Sequence, residues 1–409
     1  MKIAHALAHP LRPLILAALL LAASAALISC GGGSDGSGSG SSAASSDAIK
    51  VFDRYTAPAN LSSWKFLLSD GQTLKLNAGA VPYDLNSSLF SDYTYKFRAI
   101  YVPQGKQITY NADTSFDFPV GSVIMKTFYY PKAVSSDPAF IGAERNGHQT
   151  VQGENVDLTK NRLIETRVLV RQPDGSWAGL PYVWNDDQKD AVLKTGGANI
   201  QVELVAADNT REQFKYSVPN AQACQQCHAT GNAGGNTILP IGPKARNMNK
   251  SYQYDSGLKN QLVNLDDLKL LAGFPGLGNT PKAADWSDAS QTLPERARAY
   301  LDVNCAHCHS TTGQALQSGL FLGFNVVNDV NASGQWGVCK KPLAYAGPGQ
   351  PYQYDIQPGK PDESILAYRI THTDTEAVMP VIGRHVNHTE GDDMIRAWIT
   401  QLPQAACQP

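Results

Sequence analysis

Thr292-Leu293-Pro294-Glu295 opens, and Cys305-Ala306-His307-Cys308-His309 closes, the stretch on which the reading of this chain turns. Proline just inside a start and an acid in the first turn favour a helix N-terminus. A helix is therefore expected over 294–303, running straight into Cys305. The closing pentapeptide is a C-x-x-C-H, and Cys224-Gln225-Gln226-Cys227-His228 is a second. This spacing is the attachment signature of c-type haem. Two thiols three residues apart reach both vinyl groups of one ring and form thioethers. The histidine that follows presents its imidazole to the iron from the proximal side. Cys224, Cys227 and His228 are thus one candidate set, and Cys305, Cys308 and His309 the other, for two covalently bound haems. A zinc ribbon normally sets its two C-x-x-C pairs about 15–20 residues apart, far closer than Cys227 and Cys305. A thioredoxin-like dithiol needs one pair and no adjoining histidine.

The N-terminus fits export. Lys2 and Arg12 precede an apolar run over residues 14–28, too short to span a bilayer and followed by polar chain, which reads as a secretory signal over 1–29. The run ends Leu27-Ile28-Ser29-Cys30, which resembles the bacterial lipoprotein box. That resemblance implies lipidation of Cys30 and a protein lipid-anchored in the periplasm or at the outer membrane. Ordinary cleavage near Ala23-Ser24-Ala25 is the alternative. Residues 30–47 are almost wholly Gly, Ser and Ala after the cysteine, a composition that makes a flexible tether. Of the seven cysteines, one is then lipidated and four carry haem, leaving Cys339 and Cys407. In an oxidising compartment these are expected to pair, the alternative being two buried free thiols. Loss of residues 1–29 removes two bases and no acid, so 32 bases face 36 acids and the formal net charge goes from −2 to −4. No basic footprint for nucleic acid exists.

Residues 48–219 read as a β-rich domain, sandwich or barrel-like, because short β-branched and aromatic runs alternate with Gly, Pro, Asn and Asp. Strands are expected over 95–102, 107–110, 123–130, 163–171, 182–184, 200–205 and 213–218. Pro173-Asp174-Gly175-Ser176 marks a hairpin between 163–171 and 177–184. Residues 220–290 form a first haem segment, with a Gly- and Pro-rich loop over 230–242 and a helix over 261–271 stopped by Gly273. Residues 291–409 hold the second motif and a closing helix over 391–402, with Met394, Ile395 and Trp398 on one stripe. The fold class is α+β and multidomain: a β-rich domain, then a mostly α-helical haem region.

A helix ending at C-x-x-C-H, crossed by a C-terminal helix, resembles the class I cytochrome c fold. Tyr300 and Trp398 are expected near that crossing. In such proteins a methionine before proline commonly places its thioether on the iron, so the resemblance makes Met379, in Val378-Met379-Pro380, the distal ligand of the second haem. More widely, residues 83–402 resemble a family of bacterial dihaem c-type cytochromes with an N-terminal β-rich domain. The marks are Tyr83-Asp84-Leu85-Asn86-Ser87-Ser88-Leu89-Phe90-Ser91-Asp92-Tyr93, Leu180-Pro181-Tyr182-Val183-Trp184-Asn185, Ile241-Gly242-Pro243-Lys244-Ala245-Arg246 and Arg296-Ala297-Arg298-Ala299-Tyr300-Leu301. The family implies a secreted multihaem protein and no defined substrate.

For the distal side of the first haem the candidates are Met248, His148 and an open position. His307 stands between two cysteines, and His372, His385 and His388 read as surface or supporting histidines. Three functions fit these features. An electron carrier between periplasmic or membrane redox proteins is favoured by motif content. A haem enzyme with an open first site could use His148 with Arg145 or Arg246. A β-domain docking module with haem output is the third. Cys30→Ser should move the protein from the membrane pellet to the soluble fraction, as read by fractionation.

Overall fold

Val123-Ile124-Met125-Lys126-Thr127-Phe128-Tyr129-Tyr130 is rich in β-branched and aromatic residues, which suit a pleated surface packed on both sides. It lies near the middle of a six-stranded antiparallel meander. In chain order the strands are Ala80–Tyr83 (β1), Tyr95–Tyr101 (β2), Val123–Pro131 (β3), Asn161–Arg171 (β4), Trp177–Trp184 (β5) and Ala191–Leu193 (β6), and each pairs with the next. The β4–β5 hairpin turns at Pro173-Asp174-Gly175-Ser176, where Gly175 has φ 78°, the positive φ that such turns require. The computed structural model describes residues 48–146, 153–230, 237–327, 336–343, 345, 347, 352–403 and 407. Residues 46–409 form one compact unit, and those described are mostly β-strand and loop with few helices. Their sheets are open rather than closed into a barrel.

The period of two along each strand gives the large sheet two unlike faces. Phe97, Ala99, Val123, Met125, Val168, Val170, Ala178 and Leu180 point one way. They pack on Leu61, Trp64 and Phe66 and on Leu67, Leu74 and Val156 of a three-stranded sheet formed by 67–69, 73–76 and 155–157. On the opposite face Ile100 and Ile124 join a second core with Met248, Tyr252, Leu262 and Leu265. This face also carries Arg98, Lys126, Arg167 and Gly179. A separate pair, Ala198–Val205 (β7) and Arg211–Val218 (β8), is extended by a parallel strand at 141–144.

The helices follow. Ala223–His228 (α1) spans the first motif, directly after β8. It enters with the Ala223 amide donating to Asn220 Oδ1 at 2.6 Å. Ala229–Thr230 (β9) and Thr237–Ile238 (β10) pair beyond it. Ala245–Met248 (α2) and Gln261–Asp267 (α3) come next. The helix expected over 261–271 ends four residues early, at Asp267, well before Gly273. Lys269 takes φ 56°, the Leu270 amide donates to the Leu265 carbonyl at 2.8 Å and the Lys269 amide to Asp266 at 2.9 Å. That double bond is a helix-ending motif usually built on glycine, here built on lysine.

Leu293–Asn304 (α4) runs into Cys305 as its spacing indicates. Ile365–Thr371 (α5) and Thr389–Gln401 (α6) complete the set. Met394, Ile395 and Trp398 are all buried in one cluster with Tyr300, Leu301 and Trp336. Helices α4 and α6 approach closely at Gly391, where a Cβ would stand 2.6 Å from both Tyr300 Oη and His388 Nδ1. Cys339 and Cys407 form a disulfide with Cα atoms 5.2 Å apart, tying a loop to the last described residue.

Buried polar pairs join the sheet to these helices. Arg246 on α2 makes a bidentate pair with Asp302 on α4, both distances 2.9 Å, and donates to the Asp113 carbonyl at 2.7 Å. Asp92 accepts from the His385 amide at 2.6 Å, His385 Nδ1 at 2.8 Å and the Val386 amide at 3.1 Å. Tyr93 donates to Glu390 at 2.7 Å. Removing one member of a buried ion pair leaves an uncompensated charge, at a cost of about 3–5 kcal/mol. Asp302→Ala should lower unfolding stability by roughly that amount in a denaturant titration.

Candidate functional site

The second motif starts at the C-terminal end of α4, where the Cys305 amide donates to Leu301 at 2.9 Å and the His309 amide returns to the Cys305 carbonyl at 2.9 Å. This turn exposes Cys305, Cys308 and His309 to a cavity of about 540 Å³, inside the range of about 300–1,000 Å³ in which small molecules and cofactors are held. Met379 lines the same cavity. His309 Nδ1 lies 3.3 Å from Ser318 Oγ, which leaves Nε2 free to face the cavity. Burial, the largest effect, pushes the His309 pKa down to about 4. The ring is therefore neutral at ordinary pH, the form that binds a metal.

The segment bearing Met379 is held by two arginines. Arg384 donates to the Met379 carbonyl at 2.9 Å and also to the carbonyls of Ile370 and His372. Ile370 and His372 stand at the C-terminal end of α5, where free carbonyls and the negative end of the helix dipole receive a cation well. The Arg369 guanidinium donates to Ala377 at 2.9 Å, and the Met379 amide donates back to the Arg369 carbonyl at 3.1 Å. Arg384 carries no mark in the local pattern, since its partners are backbone atoms brought to it by the fold.

The first motif sits against the large sheet. Cys224 and His228 line a smaller cavity of about 70 Å³ together with Arg98, Lys126, Arg167 and Gly179. A Cβ at Gly179 would come within 3.1 Å of Cys224 Sγ, so the missing side chain makes the seat for that sulfur. His228 Nδ1 lies 2.7 Å from the Leu239 carbonyl, and the Leu239 amide donates to the His228 carbonyl at 2.9 Å. The Nδ1 proton is thereby assigned to the carbonyl and Nε2 is left as the free lone pair, the usual way a metal-binding imidazole is oriented. Burial first, then the charge of Lys126, pushes the His228 pKa down to about 3.

Cys227 lines the larger cavity, with Cys305, His307, Cys308 and His309 of the second motif. The two motifs are therefore neighbours, and burial first, with the nearness of Cys227 a lesser influence, pushes Cys308 up to about 12. Burial also pushes Cys305 up to about 12 and raises Cys224 and Cys227. None of these four is in a disulfide. Among the described residues no three His, Cys, Asp or Glu side chains converge as an ion's ligands.

Met248 is fully buried in the apolar core with Tyr252 and Leu262 and lines neither cavity. His148 and Cys30 lie outside the described residues. Arg246 is engaged by Asp302, and Arg145 donates to Tyr93 Oη at 2.9 Å and to Thr389. His388 is buried, 3.0 Å from Tyr300 Oη and stacked on Phe90. His385 is taken by Asp92, and His372 Nδ1 by the Tyr368 carbonyl at 2.7 Å. His307 lines the larger cavity, and its Nδ1 is buried with no hydrogen-bond partner among the described residues.

No family model, curated protein or solved structure matches this chain.

Arg384→Met removes the only side chain that donates to the Met379 carbonyl among the described residues. It should speed amide hydrogen exchange over 378–384 at least tenfold relative to the helix α4, as read by mass spectrometry. It should also cost about 1–3 kcal/mol of stability through the carbonyls it leaves unpaired.

Proposed function

We propose that this chain is an exported dihaem c-type cytochrome that passes single electrons between redox partners. The observation that carries the reading is that Cys227 of the first motif shares one cavity with Cys305, Cys308, His309 and Met379. Haem supplies reversible one-electron chemistry at its iron. The chain's contribution is attachment, orientation and apposition. Cys224 and Cys227 would hold one ring and Cys305 and Cys308 the other. His228 and His309, both neutral and aimed by Nδ1 contacts, would be the proximal ligands. Met379 would be the distal ligand of the second, a soft neutral donor that favours the ferrous state. Helices α4, α5 and α6 around the larger cavity are read as the class I cytochrome c-like part, and the chain as a whole as the dihaem family it resembles.

Two rings attached at neighbouring cysteines suit a relay better than two isolated centres. The acid-base pairs that a haem enzyme requires have no support in Arg145 or Arg246, which are already engaged. The lipid anchor and tether would keep the relay at a membrane, within reach of periplasmic or membrane redox proteins.

Denaturing mass spectrometry should show the mature polypeptide plus two haem masses, and a chain without haem sinks the reading. Met379→Ala should lower the potential of one haem by on the order of 0.1 V, a fraction of the ~0.8 V that axial ligands span. It should also open that haem to carbon monoxide.

A further inference from the structure

The larger cavity, of about 540 Å³, has a cationic wall. Among the described residues Asp355 is the one acid that lines it, and Lys340 already answers that carboxylate at 2.7 Å, with both side chains largely buried. Arg369 and Arg384 line the same cavity, and neither has a carboxylate partner among the described residues. Their two positive charges are left over. Cations held beside a largely apolar space without an anion are costly, so the wall is suited to an occupant that brings negative charge.

The two arginines differ in what they have left to give. Arg384 spends both terminal nitrogens on the carbonyls of Ile370, Met379 and His372. Arg369, half-buried on α5, spends only Nε, on the Ala377 carbonyl at 2.9 Å. Its terminal nitrogens take no hydrogen bond among the described residues. The group is nevertheless held in place. Its guanidinium carbon stands 4.6 Å from the centre of the Tyr345 ring, a lining residue of the same cavity. Fixing a long side chain costs rotamer freedom. A guanidinium fixed at its root and over one face, with both prongs unused, is preorganised for a ligand. Two parallel N–H donors match a carboxylate. The haem read for this cavity carries two carboxylates, its propionates, on the edge away from its vinyl groups.

We propose that Arg369, seated on Tyr345, binds a propionate of the second haem through its two terminal nitrogens. The inference rests on the dihaem reading above. The contact is an ion pair, so no covalent bond forms and no proton or electron is exchanged. The guanidinium keeps the propionate ionised and cancels the negative charge that would otherwise favour ferric iron. Arg369 is also bonded to the backbone of Ala377 and, through its own carbonyl, to the Met379 amide at 3.1 Å. One residue therefore fixes the propionate edge of the ring and the segment that carries its distal ligand.

The test uses the full-length holoprotein and the variants Arg369→Gln and Arg369→Lys. The potential of the second haem is followed by its methionine–iron charge-transfer band from about pH 5 to about pH 8, which lies above the ordinary carboxylate range. Asp355, Arg384, Tyr345 and His309 face the same space and stay unchanged in every sample. The wild-type potential should be flat with pH. In Arg369→Gln the propionate loses its counter-charge, and burial raises its pKa. It is then protonated at the low end and ionised without compensation at the high end. The potential should therefore fall as pH rises, by about a tenfold change in the reduced-to-oxidised ratio, or about 59 mV for one electron. Arg369→Lys keeps a point charge without the fork, so its potential should stay flat while its propionate bending band in resonance Raman shifts. A glutamine variant as flat as the wild type overturns the proposal, because a guanidinium that only holds Ala377 and Tyr345 leaves the pH profile of the potential alone. If the glutamine variant does not accumulate, the lysine variant decides, and an unshifted bending band overturns the proposal. A wild-type potential that moves with phosphate concentration at fixed ionic strength assigns the fork to a soluble anion and overturns it as well. Denaturing mass spectrometry on each sample separates these outcomes from failure of the dihaem reading, which would appear as missing haem mass in the wild type.

Discussion

The pairing of Arg246 with Asp302 is the constraint on which the arrangement of the two motifs depends. Arg246 belongs to the short helix that follows the first motif, and Asp302 to the helix that delivers the second. Both side chains are buried, so neither charge can turn to water instead. The carboxylate is completed by the Phe324 amide at 3.0 Å, and the guanidinium by the Asp113 carbonyl. Four separate stretches of chain therefore meet at one ion pair. A pair of this kind contributes less to net stability than to specificity, because its desolvation offsets much of its attraction. Here the specificity consists in one register between α2 and α4, and with it the closeness of Cys227 to Cys308.

The large sheet serves two tasks through its alternation. One face is apolar and packs as an ordinary core. The other combines Ile100 and Ile124 with Arg98, Lys126 and Arg167, which is unusual for a surface that other elements cover. Two internal carboxylates, Asp84 and Glu165, balance only part of that charge. Tyr216 adds a hydrogen bond to Glu165 at 2.6 Å, so even the compensating groups are held in place. The sheet is thus less a separate domain than a charged wall built for what lies against it.

How much of this was legible followed from how local each signal was. The four inner strands of the meander, the start of α4 and the stripe of α6 are written in neighbouring residues and appear where those residues place them, whereas its two short edge strands, β1 and β6, carry too few residues to show a pattern. The pairing of Cys339 with Cys407 followed from counting cysteines. The end of α3 was misplaced because Lys269 adopts a conformation that glycine usually signals. Lys126 read simply as part of a strand, since its neighbours Arg98 and Arg167 are brought beside it only by strand register. Gly179 read as an unremarked strand residue, because the sulfur it accommodates arrives from forty-odd positions downstream. Met248 suggested a ligand by proximity in sequence, whereas the core around Tyr252 and Leu262 had the stronger claim on a flexible apolar side chain.

Helix α6 shows what such long-range contacts do to modularity. Its first turn is gripped from the sheet side, with Tyr93 bonded to Glu390 and Arg145 to Thr389, while its glycine rests on Tyr300 of α4. The segment just before it is claimed by Asp92. A C-terminal piece beginning near residue 291 would carry both crossing helices yet deprive Asp302 of Arg246, Glu390 of Tyr93, and the amides of His385 and Val386 of Asp92. Such a piece could not be shuffled between proteins as a free-standing unit. Any lineage that inherits this second motif must inherit the sheet with it, so the two parts are bound to drift together rather than be recombined.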